Sequence, residues 1–556
     1  MSRLRSLWFV VFAVVTVAGC GGSGDVVSLT QTPWFEELAF SSGLDFVHVA
    51  TLEEHFWIPE INVGGVGLID FDNDDDLDIY FIQGGDLARP GFPGPGNRLF
   101  MNDGEGAFED VTERSGVGDT GYGNGCAVGD YDRDGFVDLY VTNLGANVLF
   151  HNNGDGTFSE VTATAGVGHE GWGTSATFLD INNDGWLDLY VANYIHWSPD
   201  REIECFTGAR REYCAPSSYK APAPDVLYLN LGDGTFQDVS NSSGISQFFG
   251  NGLGVVAADF NGDGSADIFV SNDRMKNQLW INDGLGRFED QALLAGCALN
   301  QQGIAEAGMG VAPADIDHDG DLELFLCHMA EETNTLYENL GDWFEDISAR
   351  AGLGMPSLRF TAWGPAFADF DHDGHEDLYI THGRVISGPP SQGSVDPYAE
   401  INQLFAGGHE GRFSEVLPRG GTSKPLVHTS RAVAVGDLTG DGALDLVVAN
   451  RNGKPYLLKN RVGQQGHWLM IRPVDADGVD LWGAMVGVEG PQGWQWRLAN
   501  PGHGYCASND PRVHFGLGDA ESARVIVKPL GGAQRDFGVL PANSVHRLVV
   551  TNEATR

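Results

Sequence analysis

The stretch GDYDRDGFVDLYVTN, residues 129–143, places Asp130, Asp132, Asp134 and Asp138 within nine positions. Four like charges at that spacing repel one another unless something positive sits among them. A tight loop supplies the geometry for a cation. Residues one, three and five turn their side-chain oxygens toward one centre, residue seven offers a carbonyl, and the carboxylate at nine closes the cage. Gly135 at position six permits the reversal, because a positive φ costs glycine little. A cage built only of oxygen favours calcium over zinc or copper.

The pattern recurs with ligand sets Asp180, Asn182, Asp184 and Asp188, then Asp259, Asn261, Asp263 and Asp267. It returns at Asp315, Asp317, Asp319 and Glu323, and at Asp369, Asp371, Asp373 and Asp377. Two looser copies flank these. Asp70, Asp72, Asp74 and Asp78 have Asp75 where glycine is expected, and Asp437, Thr439, Asp441 and Asp445 are neutral at the third place. Up to seven calcium ions are expected. The four carboxylates at Asp130 make the strongest cage, and Thr439 makes its loop the weakest of those with glycine.

The loops start 50 to 79 residues apart, and one grammar fills each interval. A strand such as DLYVTN follows the loop. Next come two strands around an Asn/Asp-Gly turn, as in NVLFHNNGDGTFSEVT. A Gly-rich apolar run then enters the next loop. Four short strands per unit describe a propeller blade, so the sequence predicts an all-β, seven-bladed β-propeller over 33–460. The unit after Asp437 is one strand short, and Phe35–Phe40 matches the missing outer strand, so this segment should pair into the last blade. The longest interval carries an insertion, 194–225, in which Cys205 and Cys214 suit a local disulfide. Its Arg201, Arg210, Arg211 and Lys220 make it a candidate contact for an acidic partner. Residues 461–552 alternate in short runs between Gly, Pro and Asp turns, the pattern of a small β-sandwich.

Composition narrows the function. With 42% hydrophobic residues in 556, the chain is globular, and its formal charge of -45 excludes nucleic acid and anionic lipid as partners of a basic face. Residues 1–19 carry Arg3 and Arg5 and then a short apolar run, an export signal rather than a spanning helix. The ending Val17-Ala18-Gly19-Cys20 resembles the lipobox of bacterial lipoproteins, which implies a lipid on Cys20 and a chain anchored to the cell envelope outside the cytoplasm. That lipid would be the sole tie to a membrane. Cys126, Cys297, Cys327 and Cys506 sit in or beside apolar runs and read as core thiols.

The acidic loops and NxGDGTF hairpins resemble the FG-GAP and VCBS repeats of integrin-type propellers. The tail, with GHWLMIRP and NPGHGYCASNDPRVHFGLGD, resembles the ASPIC/UnbV domain. The combination is that of the CRTAC1-like proteins. This resemblance implies calcium between the first two strands of each blade. No GxSxG, HExxH or P-loop motif and no dinucleotide fingerprint is found, and every carboxylate cluster is accounted for by a loop. His328, His372, His375 and His428 read as satisfied surface or loop residues. The sequence therefore favours a non-enzymatic binding or adhesion module for a protein or glycan. The alternative is an extracytoplasmic hydrolase or lyase with its site at the propeller channel.

Overall fold

The computed structural model describes residues 32–551 apart from 53, 89–94, 342, 392 and 491. The export signal and Cys20 lie outside the described residues. Pairing gives seven four-stranded antiparallel meanders, two of which join through a single extra pairing of Leu144–Ala146 with Glu170–Trp172. In the second meander the strands are Tyr122–Gly129, Asp138–Ala146, Val148–Asn152 and Phe158–Glu160. The first strand of each meander is the innermost. These inner strands neighbour one another in chain order, and Ser430–Gly436 lies beside Val66–Ile69, so the ring is closed. The protein is a β-propeller followed by a β domain.

Closure uses the segment before the first loop. Phe35–Glu37 pairs antiparallel with the last meander, Phe35 opposite Asn460 and Glu37 opposite Leu458. The paired part is shorter than Phe35–Phe40. Ser42 N–H bonds back to the Leu38 carbonyl at 2.9 Å, which turns the chain away and leaves Phe40 85% exposed. Phe35 itself is buried edge-on against Phe370 and Tyr379.

The C-terminal strands form two sheets. One orders Val513–Gly518, His467–Val474 and Ser544–Val549, and the other Gly493–Ala499, Ala484–Gly490, Ser522–Lys528 and Arg535–Pro541. Leu469, Ile471, Val486, Val488, Phe515 and Val525 fill the space between them. Between these sheets in sequence runs 500–511, and it does not stay with them. It enters the propeller axis. Ala507 and Ser508 pair parallel with Val66 and Gly67, and Gly504 exchanges both backbone hydrogen bonds with Val311 at 2.8 and 3.2 Å. Tyr505 and Cys506 are fully buried among Trp172, Leu253, Met309 and Trp363. Glycine is required where the plug meets the inner strands: a Cβ on Gly65 would stand 2.3 Å from Asn124 O and 2.7 Å from Cys506 O.

The insertion 194–225 straps the opposite mouth. Cys205 and Cys214 form a disulfide that closes a hairpin. Its far end crosses to another meander, where Arg210 donates to Ser387 O at 2.7 Å and Glu212 accepts from the Ser387 hydroxyl at 2.6 Å. Arg210 also pairs with Glu212 and Arg211 with Glu204, so two of the four bases expected to face a partner already have acids of their own. The four remaining cysteines in the described chain are free and buried. No helix among the described residues is long and apolar enough to cross a membrane.

Because 500–511 fills the axis, a chain ending at 460 would expose the apolar faces around Val66, Trp172 and Trp363. Residues 33–460 alone should aggregate or melt far below the full chain in a calorimetric scan. A soluble monomer with an unchanged melt would contradict the plug's structural role.

Candidate metal centre

All seven acidic loops lie between the first and second strands of their meanders, at one end of the ring, and variants of one hydrogen-bond scheme build them, with Thr439 N–H rather than Asp441 N–H on Asp437 in the seventh. In the second loop Asp130 accepts from the N–H of Asp134 at 3.1 Å and of Gly135 at 3.0 Å, and Asp134 Oδ1 accepts from Phe136 N–H at 2.9 Å. The loop turns through two left-handed residues rather than one. Position six is the expected one, with Asp75 (φ 71) tolerating what glycine does elsewhere. Position four is the other, and there Asn73, Arg133, Asn183, His318 and His372 take φ between 57 and 67.

Position nine is the most deeply buried. Asp138 Oδ2 accepts from Tyr131 N–H at 3.1 Å and Oδ1 from Asn152 N–H at 2.8 Å. Asp78, Asp188, Asp267, Asp377 and Asp445 repeat this, and Glu323 does so with its longer arm. Each carboxylate thus ties its own loop to the end of the third strand.

The asparagine there does more. Asn152 Nδ2 donates to Val137 O in its own loop at 3.1 Å and to Phe71 O of the preceding meander at 2.8 Å. Asn102, Asn230, Asn282, Asn339 and Asn460 make the same cross-seam bond, to Leu438, Tyr131, Ile181, Phe260 and Phe370. The sixth meander has Gly407 instead, where a Cβ would stand 2.1 Å from Glu376 O. From the sequence these asparagines read only as turn residues. Their recurrence one residue before the hairpin turn, in LFHN, LYLN and LWIN, was the available signal.

The loops bring together the trios Asp70, Asp72 and Asp78; Asp130, Asp132 and Asp138; Asp315, Asp317 and Glu323; and Asp369, Asp371 and Asp377, their ligand atoms within 4.8 Å of one another. Asp132 and Asp134 also converge with His151. Asp74, Asp319 and Asp373 stay outside their trios, each capping a backbone N–H at position seven. In the third and fourth loops Asn182 and Asn261 donate to Asp184 and Asp263 at 2.9 and 3.0 Å. These clusters could hold a metal ion. Asp132 Oδ1 and Asp315 Oδ2 are buried and unpartnered among the described residues, as an oxygen awaiting a cation would be.

Two loops contain a cation of their own. Lys459, one residue before the end of the last meander's third strand, Tyr456–Asn460, sits 3.4 Å from Asp441 beside the neutral Thr439. His151 Nδ1 lies 3.2 Å from Asp132 and 3.4 Å from Asp138, and these carboxylates, Asp138 foremost, raise its pKa to about 9. Neither residue stood out in the sequence. Burial outweighs the nearby positive charges at the carboxyls and drives them toward their neutral form: Asp78 up to about 8, Asp138, Asp267 and Asp315 to about 7, and Asp70, Asp130 and Asp371 to about 6.

The β domain covers this end of the ring. Arg133 of the second loop reaches Asp475 at 2.5 Å, Arg497 pairs with Glu376 at 2.9 Å, and Arg512 donates to the Asp75 and Asp437 carbonyls at 3.3 and 3.4 Å. His372 and His514 face each other at 4.9 Å in the same interface. Of the histidines expected at the surface or in loops, His372 and His375 lie in the sixth acidic loop but are buried, His328 is 3% exposed with burial lowering its pKa to about 4, and His428 is half-buried.

Residues 70–141, 130–191, 214–270 and 259–326 match the FG-GAP-like repeat, and 476–555 match ASPIC and UnbV. The chain is an FG-GAP-repeat propeller protein with an ASPIC/UnbV domain. Within that class it is CRTAC1-like: it is 29% identical to human (Homo sapiens) cartilage acidic protein 1 over 350 residues, 59% of this chain and 50% of that protein. The Xenopus tropicalis protein is 27% identical over 314 residues, 55% and 37% of the two chains. The chain thus spans half or less of the length of these two relatives. Among solved structures it is similar to a Bacillus licheniformis rhamnogalacturonan lyase (12% identity, TM-score 0.40, 77% and 76% covered). A lectin of Agrocybe aegerita gives 14% identity and a TM-score of 0.36 over 70% and 86%.

Two outcomes follow from the geometry. Asn152→Ala removes a buried donor and strands Phe71 O, which should cost about 1–3 kcal/mol in denaturant unfolding, while the exposed neighbour change Asn153→Ala should cost far less. Equal effects would deny the seam bond. In chelated protein the raised carboxyls bind protons more tightly folded than unfolded, so their contribution is full below about pH 4 and is lost as pH rises through 6 to 8. Chelated protein should melt higher at pH 5 than at pH 8, and the reverse order would contradict this.

Proposed function

We propose that the protein is an exported, lipid-anchored, calcium-loaded propeller that binds a protein or glycan partner without catalysis. The observation that carries this is the closed axis. With Tyr505 and Cys506 buried against Trp172 and Trp363, the axis is filled by residues 500–511, and the acidic end is covered by the chain's own β domain. The face that remains is the strapped one.

Calcium suits the oxygen-only trios of the first, fifth and sixth loops, and FG-GAP repeats commonly bind it. With a Kd near ~0.1 mM and ~1 mM calcium, each filled loop adds about 1.4 kcal/mol. The loop at Asp437 is not expected to fill, because the Lys459 ammonium already stands at Asp441. The enzyme reading keeps one favourable observation, a buried ionisable cluster at the strapped mouth in which Arg451 bonds Tyr213 at 2.6 Å and Tyr213 bonds Glu60 at 3.1 Å.

Elemental analysis of dialysed protein should find about six calcium ions per chain. A value near zero would leave plain acidic turns. The immobilised, calcium-loaded protein should retain an envelope component that chelation releases, and should not shorten polysaccharides offered to it. Depolymerisation would favour the lyase or hydrolase instead. Mass spectrometry of the mature N-terminus should find Cys20 acylated, and an unmodified Cys20 would remove the anchor.

A further inference from the structure

The strapped end of the propeller holds a pocket of about 360 Å³ that none of the acidic loops touches. Asn62 and Met309 precede inner strands, Trp363 begins one, and Tyr194 and Asp273 follow second strands, so the pocket lies at the opposite end from the cation loops. Its floor is apolar, formed by Ile58, Ile61, Met309 and Trp363. Its roof is the disulfide-closed insertion, through Tyr213–Ser217.

Few polar groups face this space. Asp273 is 8% exposed and accepts from the Tyr194 hydroxyl on Oδ2 at 2.6 Å, while no described group donates to its Oδ1. Asn62 is 3% exposed, and its Nδ2 lies beside Tyr194 without a well-aligned acceptor. A buried amide donor and a buried carboxylate oxygen left open in one cavity call for a ligand that both donates and accepts hydrogen bonds. Arg274 lines the wall in a left-handed conformation (φ 60) and is paired with Glu332 at 2.7 Å. Strain of that kind gathers at binding sites.

We infer that this pocket binds one neutral sugar ring, with Asp273 accepting and Asn62 donating to ring hydroxyls and the apolar floor taking the C–H face. The polar pair matches hydroxyls, which donate and accept at once. The Asp273 carboxylate repels an anionic sugar, and the Arg274 guanidinium, already paired with Glu332, leaves little to hold one. The roof limits the occupant to a terminal ring rather than the middle of a chain. This deepens the binding function proposed above and rests on it.

Saturation-transfer NMR on the full calcium-loaded chain tests it, with methyl glycosides of neutral hexoses, 6-deoxyhexoses and N-acetylhexosamines as probes. Methyl glucuronide and tetramethylammonium serve as charged counter-probes. At least one neutral pyranoside should receive saturation. Asp273→Asn should weaken it about tenfold or more. Ser217→Trp, an exposed change on the roof, should abolish it while leaving the melting temperature unchanged. No neutral pyranoside bound at millimolar concentration, binding indifferent to Ser217→Trp, or binding of a charged probe alone would overturn the assignment. If the sugars fail while the immobilised protein still retains an envelope component, the pocket assignment falls and the binding function stands.

Discussion

The structure turns on a buried carboxylate that serves two masters. At position nine of each acidic loop, a fully or almost fully buried carboxylate accepts one backbone N–H from inside the loop and one from the end of the third strand. Burying a charge without such partners is costly, so the side chain fixes loop and strand together. The asparagine whose N–H it holds is thereby aimed across the seam, and six seams are closed by its Nδ2. Loop chemistry and ring assembly are therefore the same set of bonds. The sixth meander shows the exception that the scheme allows, because Gly407 keeps the N–H to Asp377 and gives up the seam.

That arrangement concentrates negative charge at one end of the molecule, where burial already pushes carboxyls toward their neutral form. The chain answers with three kinds of positive charge. Lys459 and His151 are built into individual loops, and Arg472, Arg497 and Arg512 reach in from the β domain. Metal ions are the third kind proposed. Since the β domain grips the loops and also sends 500–511 down the axis, anything that orders the loops should also steady the plug and its cover. The acidic end is then a structural joint, and the proposed recognition falls to the strapped end.

Much of this was legible in the sequence, because repetition averages out local ambiguity. The loops, the hairpins, the missing outer strand supplied from Phe35, and the disulfide of the insertion all follow from spacing and residue type. What escaped depends on contacts between distant segments. Asn152 looks like any turn asparagine until its neighbour in the ring is known. The residue before it faces the loop only because of strand register, so Lys459 and His151 gave no warning. The plug is the largest omission: NPGHGYCASNDP has the Gly and Pro content of a surface loop, and only the glycines at 65, 125 and 310 reveal, once folded, that something was meant to lie against them.

The central claim is that the loop bonds and the seam bonds form one cation-dependent unit, and hydrogen exchange measures it most directly. The amides of Asp134, Gly135 and Tyr131 report the loop, and that of Asn152 reports the strand end that carries the seam donor. Adding calcium to chelated protein should slow all four together, with the amides of Cys506 and Gly504 in the plug following. Slowing confined to the loop amides, or no change at any of them, would contradict the account.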